Sequence, residues 1–345
     1  MNSPRPRLDP AVAETRRGVR ALLAQALETS VVGPGDLVLV ALSGGPDSLA
    51  LAAATAFEAP KQGLRAGAVV VDHALQAGSE AVATRASRQA SELGLDPVTV
   101  RRVTVGSDGG PEGAAREARH TAIAHVASDL GSPLVLFGHT LDDQAETVLL
   151  GLLRGSGPDS LSGMPPLARR VDGPAYGRPL LGVRRHTTRQ ACAAAGLAPW
   201  HDPQNQDTAF TRVRVRNAVM PVLERELGAD VAAALARTAD QLREDAAALD
   251  HFAEEMAEDL AEHSEAGIAL SVRQLQANPP ALRQRLVRLA VESEFGVTLS
   301  RLQTLEVCRL VTEWSGQGPI DLPGVRVSRD GDRLSFAAGQ QHPDR

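Results

Sequence analysis

The run Asp36-Leu-Val-Leu-Val-Ala-Leu42, followed at once by Ser43-Gly44-Gly45-Pro46-Asp47-Ser48 and then by the Ala/Leu-rich Leu49 to Phe57, constrains this chain most. Six consecutive apolar residues read as a strand buried on both faces, and the segment after Ser48 reads as a helix. The glycines therefore fall in a strand-to-helix turn. Such a turn aims free backbone N–H groups and the positive end of the helix dipole at whatever lies above it, and an anion suits that position. Ser43 and Ser48 add hydroxyl donors, so the stretch reads as a phosphate cradle; the bland alternative is a Gly-Pro-Asp turn without chemistry.

The lysine-bearing P-loop is excluded, because the chain's single lysine is Lys61. No Gly-x-Gly-x-x-Gly dinucleotide fingerprint occurs either. Ser-Gly-Gly-x-Asp-Ser is instead similar to the pyrophosphate loop of the N-type ATP pyrophosphatases, which cleave ATP to AMP and pyrophosphate.

Strand and helix patterns alternate through the first half. Strands are expected over Leu37–Leu42, Ala66–Val71, Pro97–Val105 and Leu134–Phe137. Helices are expected over Ala11–Thr29, Ser48–Phe57, Ser79–Leu93, Pro111–Leu130 and Asp142–Leu153. This order predicts an α/β fold, a parallel doubly wound sheet whose ligands sit beyond the carboxyl ends of the strands. Arg154 to Gly182, rich in Gly and Pro, shows no period. Further helices are expected over Arg184–Ala195, Thr211–Leu227, Asp230–Glu262, Pro280–Glu294 and Ser300–Ser315, with a hairpin over Ile320–Phe336. A boundary near residue 228 divides the chain into 1–228 and a mostly helical 229–345.

With 345 residues, 43% of them hydrophobic and 23% charged, ordinary globular cores are expected. No apolar run reaches the ~20 residues of a membrane span. The arginine-bearing N-terminus lacks a signal-peptide core, so a cytoplasmic protein is expected. Cys192 and Cys308 make no disulfide framework and no paired-thiol motif. A net charge of −6 argues against a protein that coats nucleic acid, yet Arg154–Arg225 holds 11 arginines against 5 acids, a basic belt suited to phosphate contacts.

Beside the cradle, three groups of residues carry chemistry. Asp72 and His73 end the second strand, where a carboxylate can bond a ribose or base or simply cap a helix. Gly138-His139-Thr140-Leu141-Asp142-Asp143-Gln144-Ala145-Glu146-Thr147 follows the fourth strand. Asp142 is the expected N-cap there, with no capping box because Ala145 stands three residues on. Asp143 and Glu146 share one helix face and can hold Mg²⁺ or an ammonium group, or can merely favour the dipole. His139, neutral or charged, adds a donor. Arg116 and Arg119 open the preceding helix and can neutralise phosphates, although Arg119 is better read as a surface ion-pair partner.

Together with Arg154-Gly155-Ser156-Gly157, Leu161-Ser162-Gly163-Met164, Arg178-Pro179-Leu180-Leu181 and Arg216-Asn217, in this order, these motifs make the chain resemble the tRNA(Ile)-lysidine synthetases over roughly residues 30 to 225. Gln76, Ser160 and Gln204 depart from the family pattern. The resemblance implies a PP-loop, adenine nucleotide alpha hydrolase-like domain over 1–228 and a helical tRNA-binding domain with a short C-terminal hairpin over 229–345. It implies ATP and Mg²⁺, free L-lysine and a CAU-bearing tRNA(Ile) as substrates and partners, no membrane, and a homodimer as a possible assembly. By the same resemblance Ser43, Gly44, Gly45, Pro46, Asp47, Ser48 and Asp72 hold ATP, and Asp47 also places the metal. Arg116 stabilises developing charge, Asp143 and Glu146 bind lysine or metal, and His139 and Arg216 orient tRNA or adenylate. The arginines Arg184, Arg185, Arg189, Arg212, Arg214 and Arg216 are expected on tRNA phosphates. Thiolases on this scaffold need paired cysteines, and ammonia-using relatives a glutaminase; neither signature occurs.

Overall fold

The computed structural model describes residues 8–72, 78–103, 111–155, 157–264 and 267–339; of 111–116, 159 and 261–264 it describes the backbone alone. These residues form two compact units, Met1–Gln241 and Leu242–Arg345.

The first unit is built on a six-stranded sheet in the order β3-β2-β1-β4-β6-β5. Strand β1 (Leu37–Leu42) lies between β2 (Arg65–Asp72) and β4 (Leu134–Leu136), both parallel to it, with Val38 opposite Ala66 on one side and Leu134 on the other. β3 (Val98–Arg102) pairs parallel with β2. Alternation along β1 divides its side chains between two cores. Val38, Val40 and Leu42 pack under α1 (Pro10–Glu28), α2 (Pro46–Glu58) and α3 (Ser79–Glu92). Leu37 and Leu39 pack with Ile123, Val126 and Ala127 of α4 (Pro111–Asp129) on the opposite face. The sheet is therefore covered on both sides, which is why β1 reads as an uninterrupted apolar run rather than an alternating one.

The chain leaves β1 toward β2 and β3, then returns to β4 on the other side of β1. The strand order reverses there, and the crevice above the carboxyl ends of β1 and β4 is the position where open α/β sheets receive ligands. The β1–α2 turn and the turn from β4 into α5 (Leu141–Leu153) flank it. They touch closely: a Cβ on Gly138 would lie 3.0 Å from the backbone of Asp47 and Ser48, so any larger residue would press the two turns apart.

Two findings revise the expected layout of the first unit. The Gly/Pro-rich stretch after α5 holds a one-turn helix, α6 (Pro158–Leu161), and two short strands, β5 (Leu167–Ala168) and β6 (Ala175–Gly177). β6 extends the sheet parallel to β4, and β5 closes its edge antiparallel to β6. In addition, the helix expected over Thr211–Leu227 is interrupted. It runs as α8 (Thr211–Arg214), a π turn (Val215–Val219) and α9 (Met220–Leu227), with the Met220 N–H reaching back to the Val215 carbonyl. Pro221 has no amide hydrogen to continue the regular ladder, and a wide turn just before it accommodates that loss. α7 (Arg185–Ala194) completes the face over α1 and α2.

The long helix α10 (Val231–Leu260) begins near the expected boundary at 228, yet the first unit continues to Gln241. The reason is burial. Ala232 joins Ala145, Val215 and Met220 in a small core, flanked by Val231 and Leu235.

The second unit contains a five-stranded antiparallel sheet, order β7-β8-β11-β10-β9. The expected C-terminal hairpin is its β10 (Val325–Asp330) and β11 (Arg333–Ala338), turning at Gly331 and Asp332. β9 (Ile320–Leu322), β7 (Ala261–Ser264) and β8 (Gly267–Ser271) extend it. α11 (Val272–Ala277), α12 (Pro280–Phe295) and α13 (Arg301–Thr312) cover one core around Leu275, Val287, Val307 and Phe336. Among the described residues, no helix is long and apolar enough to cross a membrane.

Candidate active site

The turn after β1 is held open by its own serines. The Ser43 N–H donates to Ser48 Oγ at 3.2 Å, the two hydroxyls lie 3.0 Å apart, and Ser48 Oγ donates to the Gly45 carbonyl at 3.1 Å. Gly44 sits at φ +82°, in the left-handed region that a Cβ disfavours. Gly45 is the N-cap of α2 and offers no side chain to the first-turn N–H groups. Those amides and the dipole of a 13-residue helix therefore face the crevice uncapped, an arrangement that fits an anionic phosphate chain.

At the start of α5 the N-cap is Thr140, not Asp142. Thr140 Oγ1 accepts from the Asp143 N–H, and the Asp143 carboxylate accepts from the Thr140 N–H and hydroxyl, both at 2.8 Å, so the capping box is complete. The helix starts one residue earlier than the sequence pattern suggested, which moves Asp143 to the third position where a box needs its acid. Asp142 has another task. Its Oδ2 accepts from the Arg185 N–H at 2.7 Å, tying α5 to α7.

With Oδ2 of Asp143 used in the cap, Oδ1 faces Glu146 across one helical turn. Three arginines converge on this pair. Arg185 Nη2 reaches Asp143 Oδ1 at 2.8 Å and Glu146 Oε1 at 3.1 Å. Arg216 reaches Asp143 Oδ1 at 3.0 Å and Glu146 Oε1 and Oε2 at 2.8 and 2.9 Å. Arg212 Nε reaches Glu146 Oε2 at 3.0 Å, and its Nη2 bonds the Asp143 carbonyl at 3.1 Å. Burial opposes ionisation of Asp143, but Arg185, Arg216 and Arg212 outweigh it and hold the carboxyl well below the usual range. Burial likewise opposes charge on Arg185, and Asp143, Glu146, Asp47 and Asp142 more than compensate, raising it above the ordinary guanidinium value. Asp143 is thus ionised, and both carboxyl groups of the pair are saturated by guanidinium donors of their own chain.

Asp47 stands between the two turns. Its Oδ1 accepts from the Thr188 hydroxyl and its Oδ2 lies 3.8 Å from Arg185 Nε. Burial pushes its carboxyl up to about 6, with the Asp143 charge adding to the rise, while Thr188, Arg185 and Arg216 counteract. His139 lies beside the cap, stacked at 5.9 Å on Phe137. Burial brings it down to about 3 against the pull of Asp143, and Arg178, Arg212 and Arg119 lower it further, so the ring is neutral. Among the described residues its buried Nδ1 has no hydrogen-bond partner.

Ser43, Gly44, Gly45, Pro46, Asp47, Ser48, His139, Asp143, Glu146 and Arg216 thus meet around one crevice. Asp72 ends β2 on the same rim, with Arg102 Nε 3.9 Å from its carboxylate. Arg116 lies in the first turns of α4, its side chain outside the described residues, and His73 lies outside them altogether. Arg185, Arg212 and Arg216, expected on tRNA phosphates, are instead turned inward onto the carboxylates. Arg184 pairs with Glu224 at 2.7 Å, and Arg214 bonds the Thr208 and Ala209 carbonyls, leaving Arg189 exposed on α7. Thr188 was not singled out from sequence; its place three residues after Arg185 on α7 is the signal that pairs them.

Among the described residues no three His, Cys, Asp or Glu side chains cluster to hold a metal ion. The donor set still fits Mg²⁺ in its usual nucleotide role, in which one or two carboxylates and the substrate phosphates share the ion. Asp47, at the first turn of α2, is the carboxylate that would hold it.

The PP-loop domain family matches residues 19–223, and the TilS substrate binding domain family matches 270–335. Curated tRNA(Ile)-lysidine synthases are similar over nearly the whole chain. That of Leifsonia xyli is 60% identical, covering 88% of this chain and 91% of its own. Those of Streptomyces coelicolor and Thermobifida fusca are 50% and 48% identical, covering 88% and 94% of this chain and 86% and 96% of their own. Among solved structures, the U34-tRNA thiolase NcsA from Methanococcus maripaludis, with its 4Fe–4S cluster, superposes with a TM-score of 0.57. At 18% identity, covering 68% of this chain and 80% of its own, it shows a shared fold alone. The chain belongs to the tRNA(Ile)-lysidine synthase family.

Proposed function

We infer that this chain is the ligase that joins free L-lysine to C2 of the first anticodon cytidine of a CAU-bearing tRNA(Ile), at the expense of ATP. In the first step the cytidine O2 attacks the α-phosphate, and the bond to pyrophosphate breaks. In the second the lysine ε-amine attacks C2, loses its proton, and the C2–O bond breaks as AMP leaves. Lysidine presents a pairing edge like that of uridine, so the tRNA reads AUA as isoleucine. With a tRNA and free lysine as its substrates, the enzyme works in the cytoplasm.

The observation that carries this reading is the Asp143–Glu146 pair, which already binds cationic nitrogen, on the β4 side of a crevice whose β1 side is an uncapped phosphate cradle. The cradle takes the phosphates of ATP. Asp47 would hold Mg²⁺ against them; the metal neutralises phosphate charge when bound. Asp143 and Glu146 exchange a guanidinium for the ammonium group of lysine, and Arg216, on the π turn, is the guanidinium released toward adenylate. Neutral His139 orients the base or adenylate by hydrogen bonding, and Arg116 stabilises charge on the transferred group. Positioning and electrostatic neutralisation suffice, with no covalent nucleophile. Cys192 agrees: it is buried beneath α2, its Sγ donates to the Pro46 carbonyl, and burial pushes the thiol up to about 12.

Incorporation of labelled lysine into a CAU-bearing tRNA(Ile) transcript, with ATP and Mg²⁺, tests the reading. Label is expected in that transcript and not in a methionine tRNA, and it should disappear with Asp143→Asn. AMP release without lysine transfer would send the adenylated base to another nucleophile and overturn the assignment.

A further inference from the structure

Trp200 is one of two tryptophans in a chain poor in aromatic residues. It follows α7 in a segment with three anchors, all in the first unit. The Ala198 backbone exchanges both of its hydrogen bonds with the buried Gln89 side chain of α3, at 2.9 and 3.3 Å. The Trp200 N–H then donates to the Gly44 carbonyl at 2.9 Å, in the middle of the phosphate cradle. Beyond it, Asp202 caps the turn Pro203–Gln206, and Asn217 Nδ2 holds the Asn205 carbonyl at 3.1 Å from the π turn.

The main chain is therefore fixed, and the large side chain leaves part of its surface open. The half-buried indole belongs to none of the apolar cores of the unit, stacks on no other ring, lies under no cation, and makes no hydrogen bond among the described residues. A rigidly mounted aromatic ring that leaves part of its surface open and joins no core is what a planar ligand requires.

Topology says which ligand. Gly44 leans toward α3, where its added Cβ would lie 3.3 Å from Ala86 and 3.7 Å from Val82. α3 follows β2, whose end carries Asp72, so Trp200 stands on the β2 side of the cradle. The carboxylates proposed for lysine stand on the opposite, β4 side. Phosphates lying over Ser43–Ser48 thus have the acceptor chemistry on one side and room for the nucleoside on the other. We propose that the indole of Trp200 is a stacking wall for the adenine of ATP, a binding determinant that rests on the reading of Ser43–Ser48 as an ATP cradle.

The test uses the full chain carrying Trp314→Phe, which leaves Trp200 as the sole indole; Trp314 itself lies against Arg329 in the second unit. ATP and AMP should quench or shift the emission saturably, whereas inorganic tripolyphosphate, which has no base, should not. In the lysine-incorporation assay Trp200→Ala should raise the KM for ATP about tenfold with kcat nearly unchanged, and Trp200→Phe should recover most of the loss. Emission that ignores ATP and AMP but responds to tRNA(Ile) would place a tRNA base there and overturn the proposal. So would a Trp200→Ala enzyme whose KM for ATP moves by less than roughly twofold. A chain that incorporates no lysine yet shows the adenine-dependent change would sink the lysidine reading and leave the stacking wall standing.

Discussion

Replacing Glu146 with glutamine isolates the knot of arginines at the centre of the site. The side chain is 1% exposed and its two oxygens receive four guanidinium hydrogen bonds, from Arg185, Arg212 and Arg216. Glutamine keeps the shape, removes the charge, and turns an amide N–H₂ toward donors that cannot accept from it. Breaking a buried pair from one side costs about 3–5 kcal/mol. The arginines are 14–27% exposed, and two of them keep Asp143, so solvent screening and the remaining carboxylate bring the expected loss to the lower end, about 3 kcal/mol. That is roughly a hundredfold in the folding equilibrium. Urea unfolding followed by Trp200 emission, in the Trp314→Phe chain, reports on the first unit, and its midpoint should fall by about 1 M. Arg212→Gln in the same background should couple with Glu146→Gln by about 1 kcal/mol or more, since either variant breaks the same Arg212–Glu146 contact. A midpoint shift under about 0.3 M, or strictly additive losses, would refute the reasoning and make the knot a loose surface contact.

Gly44→Ala forces a Cβ onto φ +82° beside Ala86; a cost of about 1–2 kcal/mol and a higher KM for ATP are expected, and unaltered melting would contradict the left-handed turn. His139 sets an acid limit. The folded state keeps it neutral down to about 3 while the unfolded chain protonates it near 6.5, so its contribution is whole above 6.5 and is lost as pH falls toward 3. At pH 5 that amounts to about 2 kcal/mol, and His139→Asn should lose correspondingly less stability than the parent between pH 7.5 and 5 in paired urea titrations; equal losses would mean that the ring is not held neutral. Gly163→Ala, at φ +63°, brings a Cβ to 2.7 Å from Gln144 Oε1, which pairs with the Met164 backbone. Calorimetry should register about 2 kcal/mol of destabilisation, and a neutral substitution would show that this pairing is dispensable.

The parts of the fold legible in the sequence are those whose signal is local. β1 announces itself by six apolar residues, and the cradle by its two glycines. β5 and β6 do not, because Leu167-Ala168 and Ala175-Tyr-Gly177 become strands only by pairing with one another and with β4. β8 is longer, but its partner β11 lies more than sixty residues on. The capping box was within reach, since Thr140-x-x-Asp143 is its spacing; choosing Asp142 as the cap hid it. The inward turn of Arg185, Arg212 and Arg216 was not, because each bridges 39 to 73 residues to reach Asp143 or Glu146, and nothing local distinguishes them from arginines aimed at solvent.

The π turn at Val215–Val219 decides where this site tolerates a change of chain length. Each residue added to or taken from a regular helix rotates everything beyond it by ~100°. The wide turn separates two gripping surfaces on one rod: Arg212 and Arg216 before or within it, holding Glu146, and Glu224 after it, holding Arg184. A π turn takes up one residue more than a regular turn, so a residue removed within it leaves the segments on either side in helical phase. A residue removed from α9, between the turn and Glu224, meets no such slack: it would swing Glu224 away from Arg184 while Glu146 keeps its arginines.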